Sequence, residues 1–450
     1  MTKGYKKTLH SGIAKAYQPV DKEIYDKYNV KKGLRYKDGT GVVAGLTSVG
    51  EVSGYYIDDG EKIPMHGHLR YRGYELADIV DACERENRYG FEEIVYLLLT
   101  GELPNKKALD DFASYIGESR FLPDGFAEDM IMKAPSNNVM NKLARSVLAA
   151  YSYDENPEDL SIDNIIRQSI QLIAQLPVMA SYGYQAKHHY YDGESLILHS
   201  PNPCLSTAEN FLYMLRPDNS YTKDEAELLD ALLVVHAEHG GGNNSAFTTH
   251  VVSSSDTDTY SAISAAIGSL KGPKHGGANA KVMGMVDEIK ANVSNWEDRD
   301  EVTAYLEKII RKEAYDRTGL IYGMGHAIYT LSDPRAVIIK RKAEKLAVKS
   351  EEFLKEFNLY KLIEELTPEV FLRVKKNDKT MCANVDLYSG FVYKMLGIPP
   401  ELYTPLFAIA RIPGWCAHRL EEVHANRKII RPAYKSISKS KSYITLDDRA

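Results

Sequence analysis

Between residues 74 and 411 the apolar side chains recur at the spacing of helix faces, and no stretch alternates convincingly as a strand. A chain patterned this way over most of its length buries its stripes by packing helix on helix. Phe91, Ile94, Val95, Leu98 and Leu99 hold i, i+3, i+4, i+7 spacing ahead of Gly101, which stops the segment. The same pattern, bounded by Gly, Pro, Asn or Asp, predicts helices over residues 140–151, 162–176, 226–239, 260–270, 281–290 and 302–314. Only residues 42–74 differ: Val, Ile, Thr and Tyr mix with glycines around an Asp59-Gly60 pair, the signature of a small β-hairpin region. The expected fold class is therefore all-α, mainly helical, with a hairpin behind a polar extension at residues 1–40.

Length and composition bound what such a chain does. At 450 residues it outgrows a single core, so two or three domains are expected. With 44% hydrophobic and 26% charged residues it is an ordinary globular chain. Cys83, Cys204, Cys382 and Cys416 are widely spaced and form no CxxC, which fits a reducing compartment and a cytoplasmic enzyme. No apolar run follows the basic N-terminus and none approaches a membrane span, so neither secretion nor membrane insertion is expected. A net charge of −6 argues against a nucleic-acid surface, and an anionic substrate needs locally placed arginines.

Chemistry concentrates where titratable side chains meet glycine-rich turns. His239 ends the helix predicted over residues 226–239, ahead of Gly240-Gly241-Gly242, and its apolar face carries the imidazole inward. His275 lies between Gly272-Pro273-Lys274 and Gly276-Gly277, before another predicted helix; a helix N-terminus disfavours its protonation, so a neutral imidazole can donate to a developing enolate. His326 closes Gly323-Met324-Gly325, and Asp386 precedes a helical run, where a capping carboxylate is the plainer reading. Two histidines and an aspartate on separate loops make an acid/base set. Against it stands a zinc site built from His236 and His239 with His275 or His250, although HAEH lacks the i, i+4 spacing of HExxH. His66 and His68 share a strand face and read as polar surface before metal ligands.

In order along the chain, LRYRGY (residues 69–74), YLLLTGELP (96–104), HAEHGGGNNSAF (236–247), GPKHGGAN (272–279), GMGHAIYTLSDPRA (323–336), NVDLYSG (384–390), AIARIPGW (408–415) and Arg431-Pro432 resemble the citrate synthase family. The resemblance implies a helical homodimer with shared active sites, a large domain of residues 1–276 and 395–450, and a small domain of residues 277–394. It implies condensation of acetyl-CoA with oxaloacetate and water, using no cofactor and no metal. Asp386 matches the base, His275 the enol-stabilising donor and His326 the acid. His239, Arg335, Arg411 and Arg431 match the oxaloacetate ligands, the last from the partner subunit. Leu320, Ile321, Tyr322, Gly323, Met324 and Gly325 match the CoA loop. Gly240, Ala327 and Thr330 depart from the pattern of many relatives, and Lys274, Arg317, Lys340 and Arg341 are unranked candidates for the CoA phosphates. A 2-methylcitrate synthase using propionyl-CoA is the alternative within the family; a zinc hydrolase and a non-catalytic binding protein are those outside it.

Overall fold

Asp59 and Gly60 both take positive φ, 46° and 83°, the geometry that a two-residue turn needs to match strand twist. They join β1 (Gly50–Asp58) to β2 (Glu61–Tyr71) in antiparallel register, Asp58 opposite Glu61 and Gly50 opposite Tyr71, and β3 (Tyr74–Glu75) adds to β2. The register shifts between Ser53 and Tyr55, around Gly54. A Cβ at Gly54 would come 2.8 Å from Ile328 O, and one at Gly67 would come 2.3 Å from Ser332 O. The hairpin thus lies directly on the segment that carries His326, and glycine is what lets it do so.

The computed structural model describes residues 3–17, 19–376, 381–426 and 428–449. Two compact units divide the chain. One joins the residues up to Leu46 with those from Arg431 onward; it holds helices Lys3–Ala16 and Lys22–Lys27, and Lys435 stands over the Tyr28 ring. The other, Thr47–Ile430, holds the hairpin and most of the helices.

Several helices differ from their predicted bounds, and in three the physical reason is plain. The one expected at residues 162–176 runs on through Pro177 as Ile162–Asp192, ending at Gly193 with φ 80°. Pro177 gives up one backbone bond, at a cost of about 3 kcal/mol. Burial of nearly every side chain from Leu172 to Lys187 outweighs it. A capping box of Thr222 and Glu225 starts helix Lys223–His236 upstream of residue 226, and the helix ends before His239 is reached. Asp298 accepts from the N–H groups of Asp300 and Glu301, setting the start of Arg299–Ile310 earlier than residue 302.

Helix Tyr403–Glu421 runs through the core: Tyr403 and every residue from Pro405 to Arg419 are buried, Pro413 and Arg411 among them. Among the described residues no helix is long and apolar enough to cross a membrane. Cys83, Cys382 and Cys416 are buried and Cys204 is exposed, all as free thiols.

Candidate active site

Helix Tyr403–Glu421 delivers Arg411 fully buried into the interior. Its Nε donates to His236 O and its guanidinium lies 4.8 Å from the Phe407 ring centroid, while Nη1 and Nη2 have no partner. Burial pulls its pKa down to about 10. Each unpartnered buried donor costs about 1 to 3 kcal/mol, more when charged, so this side chain is built to receive an anion.

Arg335 is the second residue of helix Pro334–Ala347. Asp333 caps that helix and grips the same guanidinium, Nε to Oδ1 at 3.0 Å and Nη2 to Oδ2 at 2.7 Å. Burial alone would lower the arginine pKa, but the Asp333 carboxylate more than offsets it and holds it above its ordinary value. Asp333 also accepts from Val385 N at 3.3 Å, so one carboxylate ties the arginine to the loop ahead of Asp386.

His239 follows its helix rather than ending it, in the turn that Gly240 closes with φ 79°. Its ring is edge-on to His326 at 5.3 Å and to Tyr329 at 5.6 Å, and Nε2 has no partner. Burial, then the charge of Arg335, keeps it neutral. His326 stacks on Tyr329 at 4.7 Å, and its Nδ1 accepts from Ile328 N at 3.1 Å and Tyr329 N at 3.2 Å. Those two bonds occupy the Nδ1 lone pair, so the neutral ring carries its proton on Nε2.

Gly323 and Gly325 have φ of 82° and 86°, which a side chain rarely adopts. Their turn is bound to the Asp386 loop: Gly325 N donates to Cys382 O, Asn384 N to Gly323 O and Asn384 Nδ2 to Gly325 O. Asn384 Oδ1 then accepts from Asp386 N at 3.0 Å. Asp386 is the first residue of helix Asp386–Met395, not its cap, and Asn384 frees its carboxylate from capping. Part of its surface stays open, yet protein surrounds it. Burial pushes its pKa up to about 6 against the pull of Arg335 and Arg411.

His275 sits in a turn before helix Ala278–Asn292, whose first cap is Gly277. Burial, then the positive charge of Arg411, pulls its pKa down to about 4, so neutrality comes from these and not from the helix terminus. Its Nε2 lies 3.0 Å from Ser245 Oγ, which also accepts from Trp415 Nε1 at 3.1 Å. Arg411 is thus the common neighbour, its charge acting on His239, His275 and Asp386.

Arg431 belongs to the terminal unit. Other predicted residues have surroundings of their own. In the loop of residues 320–325, Leu320 is exposed, Ile321 buried, and Tyr322 OH donates to Asp316 at 2.7 Å. Lys340 and Arg341 are engaged by Glu364 and Asp81. His66 bonds Ser332 and His68 bonds Glu75.

The zinc grouping is not assembled. His236 Nδ1 bonds Leu232 O, and His250 pairs with Glu422 and His418. Among the described residues the one group whose ligand atoms converge is His250, His418 and Glu421, which takes in neither His236, His239 nor His275. Sequence reasoning missed Tyr329 and Asp333. Asp333 was within reach, since Asp-Pro at a helix start is a capping signal; Tyr329 was not.

The family description "Citrate synthase, C-terminal domain" matches residues 36–433. The chain is 34% identical over 389 residues to a citrate synthase of Haloferax volcanii, covering 85% of this chain and 93% of that one. It is 32% identical over 415 residues to 2-methylcitrate synthase 1 of Corynebacterium glutamicum, covering 91% and 96%. Its structure is similar to that of citrate synthase from the thermophilic archaeon Thermoplasma acidophilum, solved as a ternary complex with carboxymethyl coenzyme A and oxaloacetate: the TM-score is 0.76 at 26% identity, over 93% of this chain and 99% of that one.

Proposed function

The chain belongs to the citrate synthase family, and we propose that the group around Arg411 is where it joins acetyl-CoA to oxaloacetate. The enzyme is an acyltransferase, converting acetyl-CoA, oxaloacetate and water to citrate and CoA. The observation that carries the assignment of the site is the set of buried, unpartnered polar atoms: Arg411 Nη1 and Nη2 and His239 Nε2, beside Arg335. A small dicarboxylate supplies the acceptors these groups lack, and guanidinium forks match its oxygens two at a time.

In this reading Asp386 takes a proton from the acetyl methyl group. His275 steadies the enol by donating from Nδ1 to the thioester oxygen, which requires the Ser245 hydroxyl, 2.9 Å from Asn243 Oδ1 as it stands, to turn its proton from that oxygen to Nε2. His326 gives its Nε2 proton to the oxaloacetate carbonyl as the carbon–carbon bond forms. Water then hydrolyses the citryl thioester and CoA leaves. In the condensation the protons pass to and from side chains of this chain, which calls for no cofactor. CoA lies along Leu320, Ile321, Tyr322, Gly323, Met324 and Gly325, and residues 277–394 close as a small domain over the large one. Arg431 reaches the site of the partner subunit in a homodimer, so each site needs both chains.

Acetyl and propionyl differ by one methylene, worth about 1 to 3 kcal/mol in an apolar pocket. CoA thiol release with oxaloacetate and each acyl-CoA tests the choice. A higher kcat/KM for acetyl-CoA is expected; preference for propionyl-CoA would make the enzyme a 2-methylcitrate synthase.

A further inference from the structure

Behind the oxaloacetate-facing turn runs a buried chain of hydrogen bonds that the condensation itself does not use. Glu238, fully buried between Ala237 and His239, accepts at Oε1 from Gly240 N and from His418 Nε2, the latter at 3.0 Å. His418, also fully buried, faces His250 Nε2 through its Nδ1 at 3.1 Å, and His250 Nδ1 faces Glu422 at 2.7 Å. Glu421 comes within 3.9 Å of His418 Nδ1 and is itself held by Ser48 N and Oγ. The chain links the end of helix Lys223–His236, helix Asn244–Ser253 and helix Tyr403–Glu421.

Its near end is shaped closely. A Cβ at Gly50 would lie 2.7 Å from Glu238 Cγ, and one at Gly414 would lie 2.5 Å from Glu238 Oε2, so the glutamate fills a slot between two glycines. Its carboxylate closes on the one N–H that follows His239, at a residue whose φ of 79° no helix or strand would hold in place. His239 is therefore fixed from both sides in sequence, by a carboxylate that His418 fixes in turn.

We propose that Glu238 and His418 are positioning residues for oxaloacetate: their hydrogen bond holds the Gly240 turn so that His239 Nε2 points at the substrate. The proposal rests on the assignment of His239 to oxaloacetate. Full-chain His418→Asn, too short to reach Glu238, weakens oxaloacetate binding about tenfold by calorimetry and leaves the KM for acetyl-CoA within about twofold. His418→Gln, whose amide reaches the Nε2 position, restores most of that affinity. Should His418→Asn not fold, Glu238→Asp carries the same test, since it keeps the charge but draws the oxygen away from both donors. Unchanged oxaloacetate affinity in His418→Asn or Glu238→Asp overturns the proposal, as does equal loss in the Asn and Gln variants or a parallel rise for both substrates. Wild-type enzyme that binds oxaloacetate but releases no CoA thiol fails the assigned activity alone and leaves the binding comparison readable.

Discussion

Burial and charge oppose each other at Asp386: the carboxyl is pushed up to about 6 by desolvation, and Arg335, then Arg411, keeps the rise from going further. A base with this pKa is ionised at neutral pH and weak enough to return its proton. Its carboxylate is lost as pH falls through about 6, so kcat/KM for acetyl-CoA should drop on the acid side with an apparent pKa near that value. A limb near the ordinary aspartate value would place the base elsewhere. Asp386→Ala should lower kcat by a factor of about 10² to 10⁴ with oxaloacetate affinity nearly unchanged, read by thiol release and calorimetry. Arg335→Ala should instead weaken oxaloacetate binding; unchanged affinity would remove Arg335 from the clamp. Asp386, His326 and His275 were all legible as chemistry-bearing residues, because each stands beside a turn that leaves a polar side chain underused. Why each has the right proton was not legible. The Nδ1 bonds of His326 come from two backbone groups of its own loop, but the neutrality of His275 comes from burial and then from an arginine far along the chain.

At the scale of elements, the hairpin is part of the site's frame. Gly54 and Gly67 let β1 and β2 touch the segment from Ile328 to Pro334, where Arg335 and the Tyr329 stack are set. Gly67→Ala places a Cβ against Ser332 O and the Tyr329 ring, neither of which can yield without moving the loop. The KM for oxaloacetate should rise about tenfold with the fold retained by circular dichroism; a wild-type KM would show that the hairpin merely covers the loop. The hairpin itself was readable from Asp59-Gly60, since a two-residue turn is a local matter. Helices of regular apolar spacing were readable for the same reason, whereas Lys106–Glu118, Asn244–Ser253 and Tyr403–Glu421 were not, nor were helix ends: Pro177 looks like a stop until the burial of both flanks is known, and Thr222 and Asp298 act through side-chain caps that extend each helix upstream.

At the scale of the whole molecule, the reading that Arg431 serves the partner's site has a quantitative consequence. Arg431→Ala and Asp386→Ala homodimers should each be nearly inactive. Unfolded together and refolded, half the dimers become mixed, and each mixed dimer holds one site with both residues intact, so about a quarter of wild-type activity should return. No recovery would place each site within one chain.

What the sequence determined by itself was the helical class, the hairpin and the choice of candidate reactive side chains, because periodicity, turn chemistry and ordered motifs are local properties of the chain. What only the tertiary structure decided was the electrostatic state of those side chains and the bracing behind them. Arg411 sits more than 130 residues from His275 in the chain yet adds its charge to the burial that keeps that ring neutral, and Glu238 meets His418 across 180 positions. Desolvation and Coulomb interaction depend on what is packed nearby, and packing joins segments that no local pattern relates.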